Sequence, residues 1–212
     1  MNYRSLLIAG VLLLPAALPA ALPAAEPKVL FEDRFDGKLA DGWTWLRENP
    51  KTWRFREGAL EICVEPGGAD TVKNALLRKA PDRSKGKYAF EVTVTGLAQP
   101  TRQYEQAGLT LYHDGKPVFK LVKELVDGQL YVVAAPNKVP MPAKTVQLRL
   151  IVAADSFEAQ FRPNGKGEFQ TATKGKLPPP GKDEISVQCY NGPPDAEHWF
   201  RFADFRVLKL EE

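Results

Sequence analysis

The chain has 212 residues, 44% hydrophobic and 26% charged, with 29 Lys and Arg against 26 Asp and Glu. Lysines and arginines are scattered among acidic residues, with no basic block interleaved with aromatics, so no nucleic-acid partner is expected.

Residues 1–25 read as a signal peptide: Arg4 supplies the positive start, 6–14 form an apolar run, and small residues lead to Ala25. The run is short for a bilayer, and Pro15, Pro19 and Pro23 punctuate the tract after it. Cleavage is expected after Ala24 or Ala25, with a retained N-terminal anchor as the alternative. No cysteine near the site suggests a lipoprotein. The mature chain is expected to be exported, periplasmic or extracellular, with no membrane insertion after cleavage. Residues 26–212 are enough for one domain. Without Arg4, 28 basic residues face 26 acidic ones, a near balance.

Nearly every later segment alternates with period two, and no window carries a helical stripe. Strands are expected at 29–35, at 43–47 and 52–56 around a Glu-Asn-Pro turn, and at 59–65 and 74–79 flanking a Pro-Gly-Gly loop. Segment 87–95 is the cleanest, with Tyr88, Phe90, Val92 and Val94 on one face. Strands at 106–113, 117–124 and 128–133 come next, joined by His-Asp-Gly-Lys and Val-Asp-Gly turns whose glycines let the backbone reverse. Further strands are expected at 146–153, 157–161, 184–190 and 198–210, with a Gly-rich hairpin at 164–167. The Pro-rich stretches 135–144 and 176–182 read as surface crossings. A dozen or so short strands without repeats predict an all-β fold, a jelly-roll β-sandwich of two antiparallel sheets. The front strand near Phe31–Phe35 and the back strand near Phe202–Val207 are expected to pair as outer strands. Alternation puts Cys63 with Glu61 and Glu65 on one face and Cys189 with Ile185 and Val187 on a core face, so the two thiols are expected to stay unpaired.

The run Tyr104-Glu-Gln-Ala-Gly-Leu109, followed by a strand carrying Lys120, Lys123 and Glu124, resembles the concanavalin A-like domain at the C-terminus of family-43 β-xylosidases and its stand-alone secreted relatives. The segment from Trp43 through Arg47 to Pro50 resembles the opening Trp-x-x-x-Arg-x-x-Pro of that family. The resemblance implies a sugar-facing, non-catalytic or glycosidase-accessory sandwich, with a polysaccharide or oligosaccharide as ligand and a glycosidase as possible partner. A structural calcium ion is implied near the adjoining termini, with Asp33 and Asp204 as its carboxylates.

Sugar sites combine aromatic platforms with planar hydrogen-bonding groups. Candidates for such a concave face are Trp45, Arg47, Asn74, Arg78, Gln106, Tyr112, Lys120, Glu124 and Tyr190. No strand carries the Glu-x-Asp-x-(x)-Glu run of the laminarinase-like enzymes of this fold, so no catalytic residue is assigned. A glycosidase or lyase with an unrecognised site on the same face is the alternative, and a structural or adhesive envelope protein a further one. His113 and His198 have no companion ligands for zinc and read as surface residues.

Overall fold

The structure, a computed structural model, describes residues 26–211; the expected signal peptide lies outside them. In chain order the strands are β1 (Lys28–Asp33), β2 (Trp43–Leu46), β3 (Trp53–Arg56), β4 (Ala59–Cys63) and β5 (Ala75–Lys79). Then come β6 (Lys87–Gly96), β7 (Gln106–His113), β8 (Lys116–Val126), β9 (Gln129–Ala134) and β10 (Asn137–Pro140). The last are β11 (Thr145–Val152), β12 (Ser156–Pro163), β13 (Gln170–Lys176), β14 (Asp183–Tyr190) and β15 (Trp199–Leu210). A 3₁₀ turn, Arg83–Lys85, precedes β6.

They form two antiparallel sheets. The first runs β13-β12-β11-β6-β15-β4-β3, with β1 also paired to β15; the second runs β10-β9-β8-β7-β14-β5-β2. Period-two patterning explains the sandwich. Phe90, Val92 and Val94 of β6, with Leu148 and Leu150 of β11, oppose Ala107, Leu109 and Leu111 of β7 and Ile185 and Val187 of β14. All are buried to within 1% of full enclosure, and each large side chain so buried contributes about 1.5–3 kcal/mol.

The strand at 106–113 falls where alternation put it. Two strands were not anticipated. β10 lies inside the supposed Pro-rich crossing, and β13 comes after the hairpin at 164–167; both are sheet edges, where Pro140 forfeits no ladder bond that a central strand would need. The front and back of the chain do pair, Phe31 opposite Val207 and Asp33 opposite Phe205. β15, however, is an interior strand. Its whole length lies on β6, while its other edge pairs first with β4 and then with β1. A bulge at Ala203–Arg206, with Asp204 at φ 51°, marks the change of partner. Both cysteines are buried and free, as alternation required.

Candidate functional site

The outer face of the second sheet holds most of the polar candidates, because the register sets them side by side. Tyr190 faces Gln106, Gln106 faces Glu124, and Glu124 faces Tyr131 across four adjacent strands. Four residues along, Ser186 faces Thr110, and Thr110 faces Lys120. Between these rows Gly108 contributes no side chain. A Cβ there would lie 2.3 Å from the Leu121 carbonyl oxygen, so glycine lets β7 and β8 approach.

These groups are organised by hydrogen bonds. Lys120 Nζ donates to Gln106 Oε1 at 2.7 Å and to Glu124 Oε2 at 3.0 Å. Gln106 Nε2 in turn donates to the Tyr104 carbonyl. Tyr112 is buried and its hydroxyl donates to Gln188 Oε1 at 3.0 Å, where Ser186 Oγ also donates. Burial pushes the Tyr112 phenol above its usual range, and pushes Tyr190 up to about 12, with the Glu124 charge adding to it. Both phenols are therefore neutral donors at neutral pH.

Thr110 Oγ1 and Gln188 Nε2 are buried without a hydrogen-bond partner among the described residues. A polar atom left so costs about 1–3 kcal/mol unless something else satisfies it. Thr110, Lys120 and Tyr190 line an open groove of about 390 Å³. Its other walls are apolar, from Pro117, Val118, Phe119, Ala135 and Phe157, with Ala69 at one rim.

Ala69 belongs to the loop 66–73, which folds against this face. Val72 packs with Ala75, Leu77 and Tyr190, and Arg47 Nη1 donates to the Val72 carbonyl at 3.1 Å. Arg47 therefore sits at the rim, tethering that loop.

Three candidates lie elsewhere. Trp45 pairs with Leu76 and stacks on Trp53 at 4.9 Å between ring centroids, against the core. Arg78 shares the Leu76 face, with its guanidinium 3.3 Å over the Phe31 ring. Asn74 is fully buried: it accepts from the Asn49 amide at 2.6 Å and donates to Thr52 Oγ1 at 2.7 Å. Alternation misassigned Asn74 and Arg78 because loop 66–73 covers Ala75 and Leu77, making both faces of β5 apolar. Lys123, quoted with Lys120 in the family pattern, also faces inward, donating to the Ala143 and Lys144 carbonyls. Burial brings its ammonium down to about 8.

The acid candidates are likewise distributed. Asp33 accepts from the Phe35 and Ala40 amides and from Trp43 Nε1, which occupies its carboxylate as a loop bracket. Asp204 lines a groove on the outer face of the first sheet with Glu32, on the side opposite Asp33. The two are thus not brought together as a ligand pair. Among the described residues, no group of three or more His, Cys, Asp or Glu side chains is placed to hold a metal. Glu105 faces away from Gln106. His198 Nδ1 lies 2.7 Å from Glu105 Oε1, and the amides of Thr101 and Arg102 donate to Oε2. His198 is accordingly buried, and His113 is clasped 2.8 Å from Asp183; neither is the free surface residue expected.

Thr110, Gln188 and Tyr131 were missed, although the alternation that placed Gln106 and Tyr112 extends to them. No helix among the described residues is long and apolar enough to cross a membrane.

Two packed antiparallel sheets with this connectivity define a concanavalin A-like sandwich. The profile of the β-xylosidase C-terminal concanavalin A-like domain matches residues 32–177, and the chain belongs to that family. Among solved structures it is similar to the GH43 BlXynB protein from Bacillus licheniformis, with 18% identity and a TM-score of 0.70 over 84% of this chain and 39% of that one. A xylan β-1,4-xylosidase from Bacillus halodurans matches with 17% identity and a TM-score of 0.69, over 91% of this chain and 41% of the other. The chain thus spans about two fifths of these relatives. The CBM2 module of the evolved Dit of Lactobacillus casei BL23 phage J-1 matches with 11% identity and a TM-score of 0.55, over 88% and 98%. At these identities the likeness concerns the fold. None of the curated proteins compared matches the chain.

Proposed function

We propose that the protein is an exported, non-catalytic module that binds an oligosaccharide or polysaccharide on the outer face of its second sheet. The observation that carries this reading is the unpartnered Thr110 hydroxyl in the groove, beside an ammonium held in place by Gln106 and Glu124. Sugar hydroxyls both donate and accept, so they suit this pairing, while Tyr190, Val118 and Phe119 offer apolar surface to ring faces. Binding without hydrolysis is supported by the carboxylates. Glu124 is paired with Lys120, and Glu105 is bonded on the far side of the strand, whereas hydrolysis requires two carboxyl groups flanking one glycosidic bond. The family's place at the C-terminus of β-xylosidases supports a glycosidase as its working partner.

Titration of the purified chain with xylo-oligosaccharides, with products followed by chromatography, tests this reading. Binding without released sugar is expected, weakened about tenfold or more in Lys120→Met, a loss of about 1.4 kcal/mol. Absence of binding, unaltered affinity in the variant, or turnover would overturn it.

A further inference from the structure

The outer face of the first sheet carries a second polar groove, of about 450 Å³, lined by Arg34, Arg162 and Arg206 with Thr93, Gln147 and Asn164. Glu32 and Asp204 also line it, leaving three cationic side chains against two anionic ones. It lies across the sandwich from the groove of Thr110 and Lys120, on strands of the other sheet.

Two of its arginines are pre-positioned with donors to spare. Arg162 Nε donates to Gln147 Oε1 at 2.6 Å, its Nη1 donates to the Gly167 carbonyl at 3.1 Å, and its guanidinium lies 4.4 Å from the Phe169 ring centroid. Those contacts fix the plane and leave Nη2 uncommitted. Arg206 Nη2 donates to the fully buried Glu91 at 2.6 Å, while Arg206 Nε is buried with no hydrogen-bond partner among the described residues. Glu91 is shared with Arg149, whose guanidinium lies 3.6 Å from the centroid of the same phenylalanine ring. The register explains the convergence. Arg162 opposes Gln147, Gln147 opposes Thr93, and the bulge in β15 raises Asp204 and Arg206 at the far end of that row.

We infer that this groove is a second saccharide site, selective for a sugar carrying a carboxylate. Planar guanidinium edges match the planar carboxylate in spacing and charge. The unpartnered Arg206 Nε is a buried donor that an anionic oxygen would satisfy. Thr93, Gln147 and Asn164 offer hydroxyl partners, and the carboxylates of Glu32 and Asp204 accept from sugar hydroxyls at the rim. They also temper the net charge, which disfavours indiscriminate anion binding. With one groove on each sheet, the module would engage neutral and acidic stretches of polysaccharide on opposite faces.

The test is calorimetric titration of the full chain with a galacturonate oligomer, a neutral xylo-oligomer and a sulfated oligosaccharide. Each is run on the wild type, Arg162→Gln, Arg162→Lys and Lys120→Met, with thermal melts to confirm folding. The galacturonate oligomer is expected to bind and to weaken with added salt. Arg162→Gln is expected to weaken it by about tenfold, with only partial recovery in Arg162→Lys because the fork is lost. Lys120→Met is expected to leave galacturonate binding unchanged, even where it abolishes xylo-oligomer binding. The inference is overturned if galacturonate fails to bind, if the sulfated oligomer binds more tightly, or if Lys120→Met rather than Arg162→Gln removes the galacturonate affinity.

Discussion

Lys120 commits two of its three ammonium hydrogens to Gln106 and Glu124, and the third is free to meet a ligand. Its neighbour Thr110 carries the opposite burden, a buried hydroxyl with no partner. That difference makes a discriminating experiment. Thr110→Val keeps the shape and removes the orphan, so the free protein should melt higher by about 1 kcal/mol of stability. If the hydroxyl bonds sugar, the same variant should bind xylo-oligosaccharide several-fold more weakly. Opposite movements of melting temperature and affinity are the expected pattern; parallel movements would place Thr110 outside the site. At this scale sequence reading was uneven. Gln106, Tyr112, Lys120, Glu124 and Tyr190 share a face because their strands alternate cleanly. Trp45 does not join them, since β2 turns its tryptophans toward the core side.

The loop 66–73 is the element that turns an open sheet face into a groove. Arg47 tethers it through the Val72 carbonyl, Lys73 reaches Glu65 at 2.8 Å, and Asn74 anchors its end to Asn49 and Thr52. Asn74 has φ 52°, a left-handed conformation that asparagine tolerates better than alanine. Asn74→Ala should therefore cost about 2–4 kcal/mol, combining lost bonds with backbone strain. Asn74→Gly relieves the strain alone and should cost roughly 1 kcal/mol less than the alanine variant. Urea denaturation of both measures the two contributions, and equal destabilisation would show that the strain is negligible. Nothing in the period-two pattern announces this loop, because Pro-Gly-Gly-Ala reads as any surface turn. The edge strands were equally hard to see. β10 contains Pro140 and β13 is largely polar, as exposed edges tend to be.

The first sheet is also braced from outside. On the outer face of the first sheet, Glu61 lies between Arg54 and Arg201, and Glu91 between Arg149 and Arg206. Burial alone would raise the Glu61 pKa, but hydrogen bonds and charge from Arg201 and Arg54 outweigh it and hold the carboxyl below its usual range. Glu65 and Glu158 are lowered in the same way, against burial, by bonds from Lys73, Thr52 and Asn49 and from Thr171, Gln160 and Lys174. A carboxyl whose folded pKa is depressed is protonated first in the unfolded chain. Its contribution is thus present above the usual value of 4.5 and is lost as pH falls through the folded value. Denaturation midpoints should accordingly hold near neutrality and drop below about pH 4.5. Glu61→Gln should be less stable at pH 7 by about 1–3 kcal/mol, with the gap to wild type narrowing toward pH 3. A constant gap would remove Glu61 from the acid response.

Alternation and turn chemistry, both local properties, sufficed for the sandwich, its antiparallel sheets, the unpaired thiols and the inward set of Phe90, Val92, Leu109 and Leu111. Each depends only on which side of a strand a residue falls, and that is decided by its neighbours in the chain. What covers a face is a different matter. That loop 66–73 closes over Ala75 and Leu77 and that Asp33 brackets Trp43 depend on how short connections fold back onto the sheets, and that Arg162 and Arg206 line one groove with Thr93 depends on strands tens of residues apart. Those contacts are set by strand register and by a bulge in β15, neither of which leaves a periodic trace in the sequence.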